Sequence, residues 1–241
     1  MADQVRVNGQ PARKASNTVH AADQVELIAP DKFVSRGGHK LEHALKHFAL
    51  DVSGLIAVDL GASTGGFTDC LLQAGVAKVF AVDVGQGQLA WKLRQDSRVV
   101  VMEQTNARNL TPEKLPVPGS ALEVLSSDNT KHETRNTKLA DLVVIDCSFI
   151  SLTKILPAAL GLLRHGGRIV ALIKPQFEAG KADVDKGAGV ITDPLIHQRV
   201  VAEMQEFVSG IDGARWVGVT ESPLLGPAGN KEFLALLEKN S

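Results

Sequence analysis

Short apolar runs punctuate the chain from residue 55 onward, and each ends at a polar or glycine-rich break. They lie at 55–58, 78–83, 98–102, 141–146, 168–173 and 215–220. Each has the length of a strand and is almost continuous in Val, Ile, Leu, Ala or Phe, the pattern of strands buried on both faces. Between them fall segments with helical periodicity: 67–73 closed by Gly75, 88–94, 151–163 capped by Gly166-Gly167, and a helix from Asp193-Pro194 to about Ser209. Asp caps a helix start and proline fits its first turn. Strands alternating with helices predict an α/β domain built on a doubly wound, parallel sheet. A last strand is expected over 231–237, with Glu232 at its start, after the turn Gly226-Pro227-Ala228-Gly229-Asn230.

Ahead of this domain the pattern changes. Residues 1–32 read as short β-type pieces: Val5-Arg6-Val7 alternates, Asn8-Gly9 is a hairpin turn, and 25–28 is a second strand. Arg6, Arg13, Lys14 and Lys32 tilt this piece positive. Residues 33–38 read as a hinge, and the main domain is expected over 39–241. Its first helix carries Leu41, Ala44, Leu45 and Phe48 on one stripe, with Lys40 beside it near the helix start, where a cation gains nothing from the helix dipole. His39, His43 and His47 share a helical face. Such spacing can chelate zinc, but no H-E-x-x-H pattern is present, a solvated polar face accounts for it more simply, and no metal is expected. Residues 116–139, polar and proline-broken, read as a surface insertion whose polar part is 119–139, and 176–192 as an active-site lid.

Composition narrows the function classes. The chain has 241 residues, 44% of them hydrophobic, enough for one large α/β domain and a small appendage. A net charge of −1 excludes a globally basic nucleic-acid binder but leaves room for a local basic face. The two cysteines, Cys70 and Cys147, sit in apolar contexts and read as buried free thiols in a reducing compartment. No apolar run approaches the roughly 20 residues that span a bilayer. The start lacks the basic-then-apolar pattern of a secretory signal, so a cytoplasmic location is expected.

The stretch 59–68, D-L-G-A-S-T-G-G-F-T, joins the first strand of the domain to its helix. Glycines let a backbone approach a ligand, and a helix N-terminus adds unpaired N–H groups and partial positive charge. A tight turn without ligand remains the simpler reading of the glycines alone. The spacing is neither that of a phosphate-binding loop nor the dinucleotide G-x-G-x-x-G. With Asp59 ahead of the first glycine, it resembles the first motif of S-adenosylmethionine-dependent methyltransferases. Asp83 ends the second strand about two dozen residues on, where doubly wound sheets hold ribose hydroxyls; this leaves NAD as a formal competitor. Asp146 and Lys174 end two further strands at the same edge. Such a pair is either a structural ion pair or, where burial lowers a lysine's pKa, a general base with its partner.

Further motifs are V-S-R-G-G-x-K-L-E at 34–42, D-L-G-A-S-T-G-G-F-T-D at 59–69, A-V-D-V-G-x-G-Q-L-A-W-K-L-R at 81–94, T-N-A-R at 105–108, D-x-S-F-I-S-L at 146–152, K-P-Q-F-E-A-G at 174–180 and G-N-K-E-F at 229–233. On these the chain resembles the TlyA (hemolysin A) family, itself similar to the FtsJ/RrmJ class of ribose 2′-O-methyltransferases. The resemblance implies a Rossmann-like sheet with an antiparallel last strand, S-adenosylmethionine as cofactor, and a cytidine ribose in ribosomal RNA or ribosomal subunits as substrate. Its Lys-Asp-Lys-Glu tetrad maps to Lys40, Asp146, Lys174 and Glu232. Lys174 would take or orient the hydroxyl proton, Asp146 and Glu232 would tune Lys174 and hold Lys40, and Lys40 would steady the ribose. The cofactor-binding residues implied are Asp59, Gly61, Ala62, Ser63, Gly65, Gly66, Phe67, Asp83, Val84 and, toward the adenine, Asn106. Residues 1–32 resemble the second half of a small RNA-binding domain named after a ribosomal small-subunit protein, and would form a partial RNA-binding β appendage. Two alternatives stand beside this reading: a catalytically inactive RNA- or cofactor-binding protein on a methyltransferase fold, and a cytolysin, for which the chain offers no membrane-active segment.

Overall fold

Two compact units divide the chain, residues 1–32 and 33–241. The computed structural model describes residues 5–12, 16, 18–27, 31–116 and 139–240.

In the first unit, β1 (Val5–Val7), β2 (Gln10–Pro11) and β3 (Val25–Leu27) form an antiparallel sheet in the order β2-β1-β3. Asn8 and Gly9 take φ of 52° and 77°, as a two-residue hairpin turn matched to strand twist requires. Asn8 also ties the sheet together, donating to Asp23 Oδ1 at 2.9 Å and accepting from the Gln24 N–H at 2.9 Å. The cations expected at Arg13 and Lys14 lie outside the described residues.

The second unit opens with α1 (Gly37–His47). Then come β4 (Ile56–Leu60), α2 (Gly66–Gln73), β5 (Lys78–Val82), α3 (Trp91–Arg94) and β6 (Val99–Met102). After the undescribed stretch follow β7 (Ala140–Ile145), α4 (Leu156–Leu162), β8 (Leu163–Ile173), α5 (Pro175–Glu178) and α6 (Lys181–Lys186). The chain closes with α7 (Pro194–Ser209), β9 (Ala214–Glu221) and β10 (Phe233–Lys239). The strands form one sheet in the order β6-β5-β4-β7-β8-β10-β9. The pairings from β6 through β8 are parallel, and β10 runs antiparallel to both its neighbours.

Successive strand residues face opposite sides of the sheet. Val143 and Ile145 enter one core layer with Leu156 and Val200, while Leu142 and Val144 enter the other with Leu41 and Leu71. Every residue of β7 is buried, which explains why it is apolar apart from Asp141, whose carboxylate accepts from the Ile56 N–H at 2.8 Å and pairs with Arg164. The strand order reverses at β4 and β7, so the crevice where such sheets bind ligands lies past their carboxyl ends.

The observed elements depart from the sequence pattern in four places. The stretch read as a hinge is built into the domain: Phe33 is 4% exposed and α1 begins at Gly37. A β-carbon at Gly38 would lie 2.3 Å from the Phe33 ring, so glycine there is what lets Phe33 seal the core. Helix α3 is shorter than 88–94 because the glycine-rich chain up to Ala90 stays irregular. The Gly166-Gly167 pair expected to cap a helix instead lies inside β8, which starts at Leu163 by pairing with Ala140. Residues 176–192, read as a lid with no helix of its own, hold α6 and all of α5 but its first residue, Pro175. Of the insertion 119–139, all but Leu139 lies outside the described residues.

Candidate active site

Register delivers the charged groups. Asp146 and Lys174 directly follow β7 and β8, which run parallel, so both emerge at the carboxyl edge. Phe233 pairs with Ile173, and the antiparallel direction of β10 therefore brings Glu232 to that edge as well. Lys40 comes from α1, whose buried stripe of Leu41, Ala44 and Leu45 packs it onto the sheet. The contact between α1 and α2 is close, since a β-carbon at Gly66 would lie 2.9 Å from the Gly38 nitrogen.

Two ion pairs result. Lys174 Nζ lies 2.6 Å from Asp146 Oδ1 and donates to Ser148 Oγ at 3.0 Å. Lys40 Nζ lies 2.5 Å from Glu232 Oε2. Lys40, Lys174 and Glu232 are 7%, 7% and 1% exposed, so these charges are desolvated and depend on their partners. Asp146 is the member open to solvent, its side chain 23% exposed. Glu232 Oε1 has no hydrogen-bond partner among the described residues, and Gly226 packs so near that a β-carbon there would sit 2.5 Å from it.

Beside this quartet, β4 runs into the glycine turn. The N–H groups of Gly61 and Ala62 both donate to Val82 O, at 2.9 and 3.0 Å. Gly61 has φ 86°, and a β-carbon there would meet the Asp146 carbonyl at 2.7 Å, so only glycine lets the turn lie against the end of β7. Gly65, at φ 97°, turns the chain into α2. Asp59 is fully buried beneath the turn, where Thr68 Oγ1 donates to Oδ2 at 2.7 Å. Its Oδ1 has no hydrogen-bond partner among the described residues. Burial pushes the Asp59 pKa up to about 7; the Thr68 hydrogen bond opposes this and the negative charge of Asp146 adds to it. Asp83 latches the turn, accepting from the Ser63 N–H at 2.8 Å and the Gly85 N–H at 2.7 Å.

Residues 33–239 match the model of the FtsJ-like methyltransferases. The chain belongs to the FtsJ-like methyltransferase family. It is 44% identical over 238 residues to the 16S/23S rRNA (cytidine-2'-O)-methyltransferase TlyA of Mycobacterium tuberculosis, covering 98% of this chain and 80% of that protein. It is 40% identical over 232 residues to Hemolysin A of Brachyspira hyodysenteriae, covering 96% and 87%. The crystal structure of a candidate hemolysin from Lactococcus lactis matches with a TM-score of 0.76 at 44% identity, covering 88% of this chain and 90% of that one.

Membership in the FtsJ-like family makes the chain a methyltransferase and implies S-adenosylmethionine as its methyl donor. The turn fits such a group. An unpartnered buried carboxylate oxygen at Asp59 suits a cation, and Val84, 70% exposed, offers an apolar surface beside Asp83. Other residues on the expected cofactor set are already engaged. Phe67 is in the core at 3% exposure, Gly66 is packed against Ser35, and Asn106 Oδ1 caps a short turn by accepting the Arg108 N–H at 3.1 Å. His43 Nε2 lies 3.2 Å from Thr220 Oγ1, and no metal-ligating cluster is present among the described residues.

Several site features of this FtsJ-like domain are not legible as charged motif positions. A cleft of about 600 Å³ is lined by Arg108, Phe149, Ser151, Lys154, Gln176 and Phe177. Phe149 is 91% exposed with φ 63°, and its ring lies 5.3 Å from that of Phe177. Glu178 holds the cleft's walls together, accepting from Ser151 Oγ at 2.6 Å and the Leu152 N–H at 2.8 Å, and burial pushes its carboxyl above the usual range. Asn230 accepts from the Ile191 N–H at 2.8 Å and donates to Gly189 O at 2.9 Å. The signal for the first group was present: an aromatic directly after D-C-S and another two residues after K-P.

Proposed function

We propose that this protein transfers a methyl group from S-adenosylmethionine to the 2′-hydroxyl of a cytidine ribose in ribosomal RNA. The observation that carries it is Lys174, desolvated at the sheet's carboxyl edge with Asp146 at 2.6 Å and a second buried pair, Lys40–Glu232, brought alongside by register. The names of the M. tuberculosis relative and of the FtsJ-like family support the reaction class.

The cofactor supplies a methyl group on a positively charged sulfur. Lys174 acts as the base, taking the proton from O2′ as the oxygen's electron pair turns toward the methyl carbon. Asp146 stabilises the resulting ammonium. Lys40, fixed by Glu232, steadies the ribose, and alignment of oxygen and methyl carbon carries much of the rate. Asp59, Gly61, Ala62, Ser63, Gly65 and Gly66 would form the cofactor's cradle, mainly through backbone, with Phe67 supporting the turn from the core, Asp83 and Val84 at the ribose, and Asn106 toward the adenine through its amide nitrogen. The cleft suits a nucleotide drawn out of a stack: the Phe149–Phe177 pair faces a base, while Arg108 and Lys154 meet phosphates. Residues 1–32 add a small RNA-binding appendage, and the reaction belongs in the cytoplasm, where ribosomes are.

The test is transfer of tritiated methyl to ribosomal subunits and to naked ribosomal RNA, followed by a search for alkali-resistant dinucleotides. Label in such dinucleotides is expected. Lys174→Ala should reduce transfer by about 100- to 10,000-fold, the range a positioned general base contributes, with cofactor affinity unchanged. Full activity of that variant refutes the base assignment.

A further inference from the structure

We infer that Ser148 is a positioning residue that aims the Lys174 amine at the ribose hydroxyl. The inference rests on the reading of Lys174 as the base. A lysine that is to accept a proton must first be a neutral amine, with two N–H bonds and one lone pair in tetrahedral array. Asp146 alone, at 2.6 Å, fixes one N–H and leaves the lone pair free to sweep a cone about that hydrogen bond. A second acceptor ends the freedom. Ser148 Oγ, 3.0 Å from Nζ, is that acceptor, and a serine hydroxyl has lone pairs to spare. With both N–H groups donated, the lone pair has one direction left.

The placement of Ser148 supports this role over a structural one. Ser148 is exposed and belongs to neither core layer. It lies two residues past Asp146 on the turn that leaves β7, so one short loop supplies both acceptors. The following residue, Phe149, takes φ 63°, a conformation uncommon for a bulky side chain. The turn is thus held in an unusual shape where it meets the amine.

In the step itself the O2′–H bond breaks and its electron pair stays on oxygen to form the bond to the methyl carbon, the methyl–sulfur bond breaks with its pair left on sulfur as a neutral thioether, and the proton completes an ammonium on Lys174. That ammonium keeps its hydrogen bonds to Asp146 and Ser148, so the two acceptors serve both before and after transfer.

The experiment compares Ser148→Ala, Ser148→Thr and Lys174→Ala in methyl transfer to ribosomal subunits. Ser148→Ala is expected to lower kcat by about 10- to 100-fold, the scale of a misdirected reacting group. KM for RNA, cofactor affinity by calorimetry and melting temperature should not move. Ser148→Thr, which keeps the hydroxyl, should recover most of kcat. A wild-type kcat in Ser148→Ala with Lys174→Ala inactive overturns the role of Ser148 alone. So does a loss confined to KM, or an equal loss in Ser148→Thr. Full activity in Lys174→Ala overturns the base assignment and this inference together.

Discussion

Asp59 shows how much one buried carboxylate can tell. Its pKa stands at about 7 in the folded chain against 3.8 as a free side chain, so the native state holds a proton that the unfolded state gives up. The group's contribution to stability is therefore greatest below pH 3.8 and falls as pH rises to 7, beyond which the loss is complete, about 4 kcal/mol by linkage. Asp59→Asn should flatten this dependence, and the cofactor-free variant should resist urea better than wild type at pH 8 but not at pH 3.5. If a cationic part of the cofactor meets Asp59, binding near pH 7 should release a proton, seen as a binding heat that changes with the ionisation heat of the buffer. At this scale the sequence singled out Asp146 and Lys174, because charge at a strand's end is conspicuous, and Lys40 and Glu232 only through the motifs that hold them. It did not reveal Ser148, Thr68 or Asn230. Their roles depend on which of several ordinary polar residues falls within 3 Å of a particular atom, and spacing along the chain does not carry that information.

Among the elements, the segment from α5 to the start of α7 is the one whose character changed most between sequence and structure. Glycines and charges over 176–192 suggested an active-site lid. The structure ties it down with Glu178 on the Ser151 loop, Asn230 on Gly189 and Ile191, and His197 Nε2 2.9 Å from Ile191 O. All three anchors are long-range or depend on loop shape, which no local pattern reports. Asn230 is 1% exposed, so Asn230→Ala leaves a buried N–H and carbonyl unpaired at a cost of about 2 kcal/mol. The expected result is a melting temperature lower by roughly 5 °C. Hydrogen exchange should speed up over 187–192, and kcat should fall, since Glu232 lies two residues away. The elements that were legible, β4, α2, β5, β7 and α7, are those whose apolar pattern is local and complete. Strand β8 was half legible, because its first residues carry polar Arg164 and His165 and a glycine pair that mimics a helix end.

For the whole molecule, the division at residue 32 makes a direct prediction. Residues 33–241 expressed alone should fold with the melting temperature of the full chain's main transition and bind S-adenosylmethionine equally well. Methyl transfer to ribosomal subunits should drop through KM if residues 1–32 hold RNA, and equal KM values would show that they do not. The alternation of strands and helices was enough to predict the doubly wound sheet. The position of β10 within it was beyond periodicity, since strand order depends on contacts between distant segments. That position has a consequence in the order of synthesis. β10 leaves the ribosome after both β8 and β9, yet among the described residues it alone joins β9 to β8. Until it arrives, the 11-residue β8 offers a bare row of hydrogen-bonding groups to any passing strand. A chain cut just before Glu232 would keep Lys174 and Asp146 but leave Lys40 without its acid and β9 detached. A stop codon just before Glu232 should therefore be as damaging as an early one, because the quartet is complete only once β10 has been made.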